Sequence, residues 1–112
     1  MYGEVKLMDP KSEETTVPML ANAATPIRFK SLFHSDLLSG ILTTDGNFDV
    51  DVVSKLAFIM AKQAAKVDIN SLSMDHYIEW LEGFDSMAFY TNAQAIFDVY
   101  SGSKKNSSKA KK

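Results

Sequence analysis

The stretch V-D-V-V-S-K-L-A-F-I-M-A-K, Val50 to Lys62, has the clearest helical pattern in the chain. Apolar residues recur at the spacings of one helix face: Val52, Val53, Leu56, Ile59 and Met60. Charged residues mark the opposite face: Asp51, Lys55, Lys62 and Lys66. Phe58 falls inside the charged row, where a regular amphipathic helix has a polar residue. The stretch predicts a helix, capped by Asn47 or Asp49, with one aromatic ring on its charged side.

Residues 25–102 contain three further helical patterns. Thr25-Pro26 is a typical helix start, because a threonine hydroxyl can cap free backbone N–H groups and proline is tolerated in the first turn. We expect this helix to end at Gly40, which permits a left-handed turn. Its apolar face comprises Phe29, Leu32, Phe33 and Leu37.

The last two expected helices lie on either side of Gly83. Ser73 is expected to cap the first, and Asp85 or Ser86 the second, which ends at Gly102. The helix after Ser73 is expected to turn four apolar residues inward: Met74, Tyr77, Ile78 and Leu81. The helix before Gly102 has a regular stripe: Phe89, Ala93, Ile96, Phe97 and Tyr100.

The two ends of the chain differ from this helical region. Residues 1–24 contain the β-prone segments E-V-K-L-M and T-T-V-P-M-L, separated by turn-forming D-P-K-S-E-E, with Pro18 typical of an edge strand. Residues 103–112, S-K-K-N-S-S-K-A-K-K, lack apolar anchors. We therefore expect one mainly α domain: a compact bundle of about four helices (25–102), preceded by a small β-hairpin or extended segment and followed by a disordered Lys/Ser-rich tail.

Charge and composition narrow the class of protein. Five of the twelve basic residues lie at positions 104–112, so residues 1–103 hold seven bases against fourteen acids and carry a charge of −7. An acidic body opposes nucleic-acid binding, which depends on phosphate neutralisation. Cysteine is absent, which excludes disulfides and thiol catalysis. No apolar run reaches the length of a membrane span, and M-Y-G-E-V-K is unlike a signal peptide, so we expect a protein that is neither membrane-bound nor exported.

Neither a metal site nor a catalytic centre is expected. His76 and Glu79 could share a metal, but His34 belongs to a different helix and no H-E-x-x-H pair occurs. Glu79, Glu82 and Asp85 are expected to face water rather than a buried site that would shift their pKa. Motifs for a nucleophilic serine or a phosphate-binding loop do not occur. We therefore expect that the protein is not an enzyme and that it binds no cofactor.

The segment W-L-E-G-F, Trp80 to Phe84, contains the chain's one tryptophan. One interpretation packs the ring over a neighbouring helix, with its indole N–H reaching water or a carbonyl. The other makes it an exposed anchor, since tryptophan is enriched at binding hot spots. Phe58 and Phe84 raise the same question. Because all three lie at or beyond the rim of regular apolar stripes, we predict that Phe58, Trp80 and Phe84 form a partner-binding surface.

The order of several segments resembles the tail assembly chaperones of long, non-contractile-tailed phages and prophages of Gram-positive bacteria. The resemblance covers residues 17–103. It is carried by A-N-A-A-T-P-I-R-F-K-S-L-F-H-S-D-L-L (Ala21–Leu38), S-K-L-A-F-I-M-A-K-Q-A (Ser54–Ala64) and Y-I-E-W-L-E-G-F (Tyr77–Phe84), followed by a helix and a short Lys/Ser tail.

The resemblance implies a non-enzymatic protein of the host bacterial cytoplasm, absent from the finished virion. Such a chaperone binds the helical tape measure protein, helps recruit tail tube subunits, and often also occurs as a longer form made by ribosomal frameshifting. Two alternatives stay open: a small helical regulatory or adaptor domain that uses the lysine tail and Lys55, Lys62 and Lys66, and a structural tail or connector subunit. Self-association is also possible.

Overall fold

The computed structural model describes residues 1–40 and 47–102, which surround one central helix. The elements in chain order are β1 (Tyr2–Met8), β2 (Glu14–Leu20), α1 (Ala24–Phe33), α2 (Leu37–Gly40), α3 (Val50–Ala64), a 3-10 turn (Ile69–Ser71), α4 (Met74–Leu81), α5 (Ala88–Thr91) and α6 (Ala93–Ser101). The expected tail, residues 103–112, lies outside the described residues. Within these two ranges, no helix has both the length and the apolar character that a membrane crossing needs.

The expected N-terminal hairpin is confirmed. β1 and β2 pair antiparallel, with Tyr2 opposite Leu20 and Met8 opposite Glu14. Asp9 stabilises the turn, because its Oδ1 accepts the backbone N–H groups of Lys11 and Glu13 at 2.8 and 2.9 Å. Alternate side chains on one face are buried: Val5, Leu7, Val17 and Met19. The hairpin packs this face on the helices, β2 against α3 and β1 against α6.

Helix α3 is the centre of the core. Asp49 caps it as expected, since its Oδ1 accepts the N–H of Asp51 at 3.1 Å. The residues from Leu56 to Ala61 are all buried, although they point in every direction around the helix axis. The hairpin, α1, α2, α4, α5, α6 and the 3-10 turn all contact α3. A helix buried all round belongs to the interior of a domain rather than to its surface.

The expectation that Phe58 lies on an exposed, charged face is wrong. Its side chain is 0% exposed, because α1 and α4 cover this side of α3 with the rings of Phe33, Tyr77 and Trp80. Lys55 and Lys62, which lie in the same row of α3, do not prevent this packing. Lys62 places its ammonium 5.5 Å from the centre of the Phe58 ring, and Lys55 lies 5.4 Å from that of Phe33. Long lysine side chains can follow apolar surface while the charge reaches water.

Two of the expected helices are interrupted, so the described residues do not form a simple four-helix bundle. The first ends at Phe33, where His34 adopts a left-handed conformation (φ 58°), and α2 then continues to Gly40. The helix expected between Asp85 and Gly102 is divided at Asn92, whose side-chain amide bonds the carbonyl of Ala88 at 2.9 Å. The mainly helical architecture with an N-terminal hairpin is nevertheless confirmed.

A buried polar network joins the hairpin to α1 and α3. The amide of Gln63 donates to the Leu20 carbonyl at 2.6 Å and to Thr25 Oγ1 at 2.9 Å, and its oxygen accepts from Arg28 at 2.9 Å. Thr25 is fully buried, and its hydroxyl accepts the N–H of Asn22 rather than capping the helix from outside as expected. The actual start is Ala24, whose N–H bonds the Asn22 side chain. The network fixes the junction at which sheet changes to helix.

We predict that Gln63→Leu lowers the free energy of unfolding by about 1–3 kcal/mol, because the Leu20 carbonyl loses a buried donor. Urea denaturation measures the change. Gln94→Leu is the matched control, since Gln94 is exposed and bonds Asp98 on the surface of α6. Equal effects of the two substitutions would contradict a structural role for the buried network.

Phe58→Ala tests the revised position of that ring. We expect a loss of about 3–5 kcal/mol in the free energy of unfolding, because truncation of a buried phenylalanine leaves a cavity. Ile27→Ala, at a side chain that is 70% exposed, should change it by less than about 0.5 kcal/mol. If the Phe58→Ala protein were as stable as the Ile27→Ala protein, the Phe58 ring would have to be exposed, as expected from the sequence.

Candidate docking groove

A continuous chain of aromatic contacts runs through the helices. It starts at Phe29 and Phe33 on α1, passes Phe58 and Tyr77, and continues through Trp80 and Phe84 to Phe89 on α5. Centroid separations along it range from 4.9 Å, for Trp80 and Phe84, to 6.4 Å, for Phe33 and Phe58. Most pairs are tilted or edge-to-face, a geometry worth about 0.5–1.5 kcal/mol per pair beyond area burial. This series of ring contacts extends from the core to the surface near α5.

The structure brings the three sequence-predicted site residues together but gives them different positions. Trp80 contacts Phe58 at a centroid distance of 5.5 Å and Phe84 at 4.9 Å. Trp80 and Phe84 are partly buried, whereas Phe58 has no exposed surface with which to contact a partner. Phe58 is therefore a core residue in this conformation. The partner-binding role of Trp80 and Phe84 stays a prediction.

Phe84 lies in an open cavity of about 350 Å³ between the start of α3, the end of α4 and α5. We call this cavity the groove and define it by six of its lining residues: Val50, Asp51, Leu81, Phe84, Asp85 and Tyr90. Its lining is mainly apolar, with two carboxylates. Sequence reasoning identified Phe84 but missed Tyr90, whose ring is 61% exposed. The predicted apolar stripe leaves Tyr90 out, and periodicity does not reveal that its ring lines a groove.

Local hydrogen bonds hold the walls of the groove. The Asp49 cap starts α3 and so positions Val50 and Asp51. On the other wall, the Asp85 N–H donates to the Met8 carbonyl at 2.8 Å, and the Asp85 side chain accepts the Met87 N–H at 2.9 Å. The turn that carries Phe84 is therefore tied both to β1 and to the start of α5.

A hydrogen bond below the groove joins α3 to α4. Ser54 Oγ, which also lines the cavity, lies 2.7 Å from the Tyr77 hydroxyl and donates to the Asp51 carbonyl at 2.9 Å. Either hydroxyl can donate in this contact, and donation by the serine favours the ionised phenol. Burial raises the pKa of Tyr77 above its ordinary value of 10.0; the hydrogen bond with Ser54 lowers it, and the charge of Asp51 raises it further.

The outward side of α4 extends the apolar surface of the groove. Met74 and Ile78 are about half exposed, which corrects the expectation that they face inward. The helix instead turns Tyr77 and Trp80 inward, because their large rings pack against Phe58. Met74, Ile78 and Leu81 follow at spacings of four and three, so they form one row, which we call the outer ridge. Leu81 belongs to both the outer ridge and the groove.

Two further cavities differ from the groove in location and lining. One of about 210 Å³ lies between β2 and the end of α3, where Trp80 and Lys62 line it. The other, of about 330 Å³, is polar and is lined by Arg28, Gln63 and Lys66. The Arg28 guanidinium is already bonded to Gln63 there, so this cavity borders the buried polar network.

His76, one of the residues weighed for metal binding, has a structural partner. His76 Nδ1 accepts the N–H of Ser73 at 3.0 Å, so the histidine helps to cap α4, with its proton on Nε2 in the neutral ring. Ser73 is the N-cap, as expected from the sequence. Within residues 1–40 and 47–102, no group of three His, Cys, Asp or Glu side chains could hold a metal ion.

Comparison with known proteins identifies no relative. No protein-family model, curated protein or solved structure matches the chain. A function must therefore be proposed from the groove, the outer ridge, the distribution of charge and the resemblance described above.

We predict that Tyr77→Phe lowers the free energy of unfolding by about 1 kcal/mol at neutral pH, because the bond to Ser54 is lost. The control Tyr90→Phe, at an exposed ring, should change it by less than about 0.5 kcal/mol. Burial favours the neutral phenol, so the advantage of wild type over Tyr77→Phe is present below pH 10.0 and is lost as pH rises through the raised pKa. Urea denaturation across this range measures it; a pH-independent difference would contradict the assignment.

Proposed function

We propose that the protein is a tail assembly chaperone of a long, non-contractile-tailed phage or prophage of a Gram-positive bacterium. It binds the tape measure protein in the host cytoplasm, keeps apolar surface of that protein from aggregating, helps recruit tail tube subunits, and leaves before the virion is complete. The observation that carries the proposal is the groove with its outer ridge, an exposed apolar surface on an acidic body.

The proposal draws support from the position of the segments that resemble this family. Ala21–Leu38 includes the whole of α1, and Ser54–Ala64 is most of the central helix. Tyr77–Phe84 contains the end of α4 and supplies Leu81 and Phe84 to the groove. The resemblance therefore includes both the elements that build the core and part of the candidate docking surface.

Charge also favours a chaperone over a nucleic-acid binder. Residues 1–103 hold twice as many acids as bases, and two of the acids, Asp51 and Asp85, line the groove. Like charges on separate copies repel, which limits aggregation of a protein that exposes apolar residues. A phosphate backbone would meet the same repulsion. A helical client with an apolar face matches this surface better, because such helices are recognised in apolar grooves.

Co-expression tests the proposal. The protein is produced together with the tape measure protein of the phage or prophage that encodes it, and the soluble fraction of the tape measure protein is measured by quantitative blotting. We expect the soluble fraction to increase severalfold, with the two proteins co-eluting in size-exclusion chromatography. Co-expression with an unrelated small acidic protein is the control. An unchanged soluble fraction would contradict the proposal.

Mass spectrometry of purified virions separates the chaperone from a structural subunit. We expect the tape measure and tube proteins to be detected and this protein to be absent. Its presence in stoichiometric amounts would contradict the proposal and favour a tail or connector component.

A further inference from the structure

We infer that the groove and the outer ridge together receive an amphipathic helix whose apolar stripe is flanked by lysine or arginine; the inference rests on the proposed function and names the chemistry of the client segment. The partner expected at this face of the molecule is therefore a basic helix.

The shape of the surface suits a helix. The outer ridge presents Met74, Ile78 and Leu81 at helical spacings of four and three, and such rows interlock with the side-chain rows of a second helix. The ridge leads through Leu81 into the groove, so a helix packed along α4 can insert side chains there. An engineered cavity of about 150 Å³ holds a benzene ring. The groove volume of about 350 Å³ therefore accommodates more than one large apolar side chain.

Acidic side chains predominate around this surface. Asp51 and Asp85 line the groove, and Asp75, Glu79 and Glu82 are exposed on or next to α4. Among the residues that the structure describes, no lysine or arginine lines the groove. Lys55 is already held by Asp51, with Nζ 3.1 Å from the carboxylate. Charge complementarity therefore favours a partner with basic residues beside its apolar stripe, and it would accelerate encounter.

The same charges disfavour a second copy of this chain as the occupant. A symmetric contact through the outer ridge would bring the acids beside α4 of both copies close to one another. Like charges placed face to face across an interface repel and are a common means of rejecting wrong partners.

Binding is measured with synthetic peptides and the intact protein. The probe is an 18-residue helical peptide of leucine and lysine with leucines on one face. A second peptide replaces lysine by glutamate, and a third scrambles the leucines. None contains an aromatic residue, so the fluorescence of Trp80, which contacts Phe84 on the groove wall, reports binding. We expect the leucine–lysine helix to bind at least about tenfold more tightly than either of the other two.

Matched substitutions locate the surface. The double variant Ile78→Ala, Tyr90→Ala should weaken binding of the leucine–lysine helix by at least about tenfold, because exposed aromatic and aliphatic anchors contribute most at helix-binding grooves. The control is Ile27→Ala, Tyr2→Ala, which removes the same residue types at similar exposure (70% and 55%, against 47% and 61%) outside the groove and ridge. It should change the affinity by less than about twofold.

A second pair of variants tests the charges. Asp51→Asn with Asp85→Asn should weaken binding by about three- to tenfold and reduce its dependence on salt. Glu13→Gln with Glu14→Gln removes two acids near the hairpin turn, away from the groove, and is the matched control. Circular dichroism and urea denaturation verify that each variant is folded.

Three results would overturn the inference. They are equal affinity for the lysine and glutamate helices, equal loss of affinity in the groove and control variants, and a dimer in sedimentation that Ile78→Ala, Tyr90→Ala dissociates. If co-expression still solubilises the tape measure protein while the groove variants bind normally, this docking surface is wrong and the proposed function stands. If co-expression fails while the peptides bind as expected, the proposed function is wrong and the groove serves another basic helix.

Discussion

The fold depends on the burial of the middle of one helix on all of its sides. In most small domains each helix keeps a polar face in water, but from Leu56 to Ala61 α3 has none. Every other element must therefore supply apolar surface toward it. The hairpin supplies aliphatic side chains on one side, and α1 and α4 supply aromatic rings on the other. The position of Phe58 makes the second contribution necessary, because an uncovered ring there would leave the core open to water.

The need to cover the Phe58 ring explains the position of the candidate docking surface. To cover Phe58, α4 must turn Tyr77 and Trp80 inward. A helix of eight residues cannot bury those rings and also its aliphatic residues, so Met74 and Ile78 remain outside. The exposed apolar row is thus a consequence of core packing. Proteins that expose such rows commonly use them to bind partners.

The sequence was a good guide wherever one local rule determined the outcome. The Asp49 and Ser73 caps, the Gly102 stop and the alternation that produces the hairpin all follow from short-range chemistry, and all were predicted. The side of α4 that faces the core was not predicted correctly. The aliphatic and aromatic residues of this helix form two overlapping apolar stripes, and tertiary packing determines which of them is buried. Phe58 was misplaced for the same reason. Periodicity could not show that rings from α1 and α4 cover a row containing three lysines. Tyr90 was missed because it lies outside the predicted apolar stripe, and its place in the groove depends on how α3, α4 and α5 pack together.

The hydrogen bond between the Asp85 amide and the Met8 carbonyl connects the groove to the far end of β1. This bond lets the end of a strand set the position of a groove wall, although the groove is lined by residues of the helices and the turn. If a ligand orders the turn at Asp85, it also orders the end of β1, and the coupling free energy is the same in both directions.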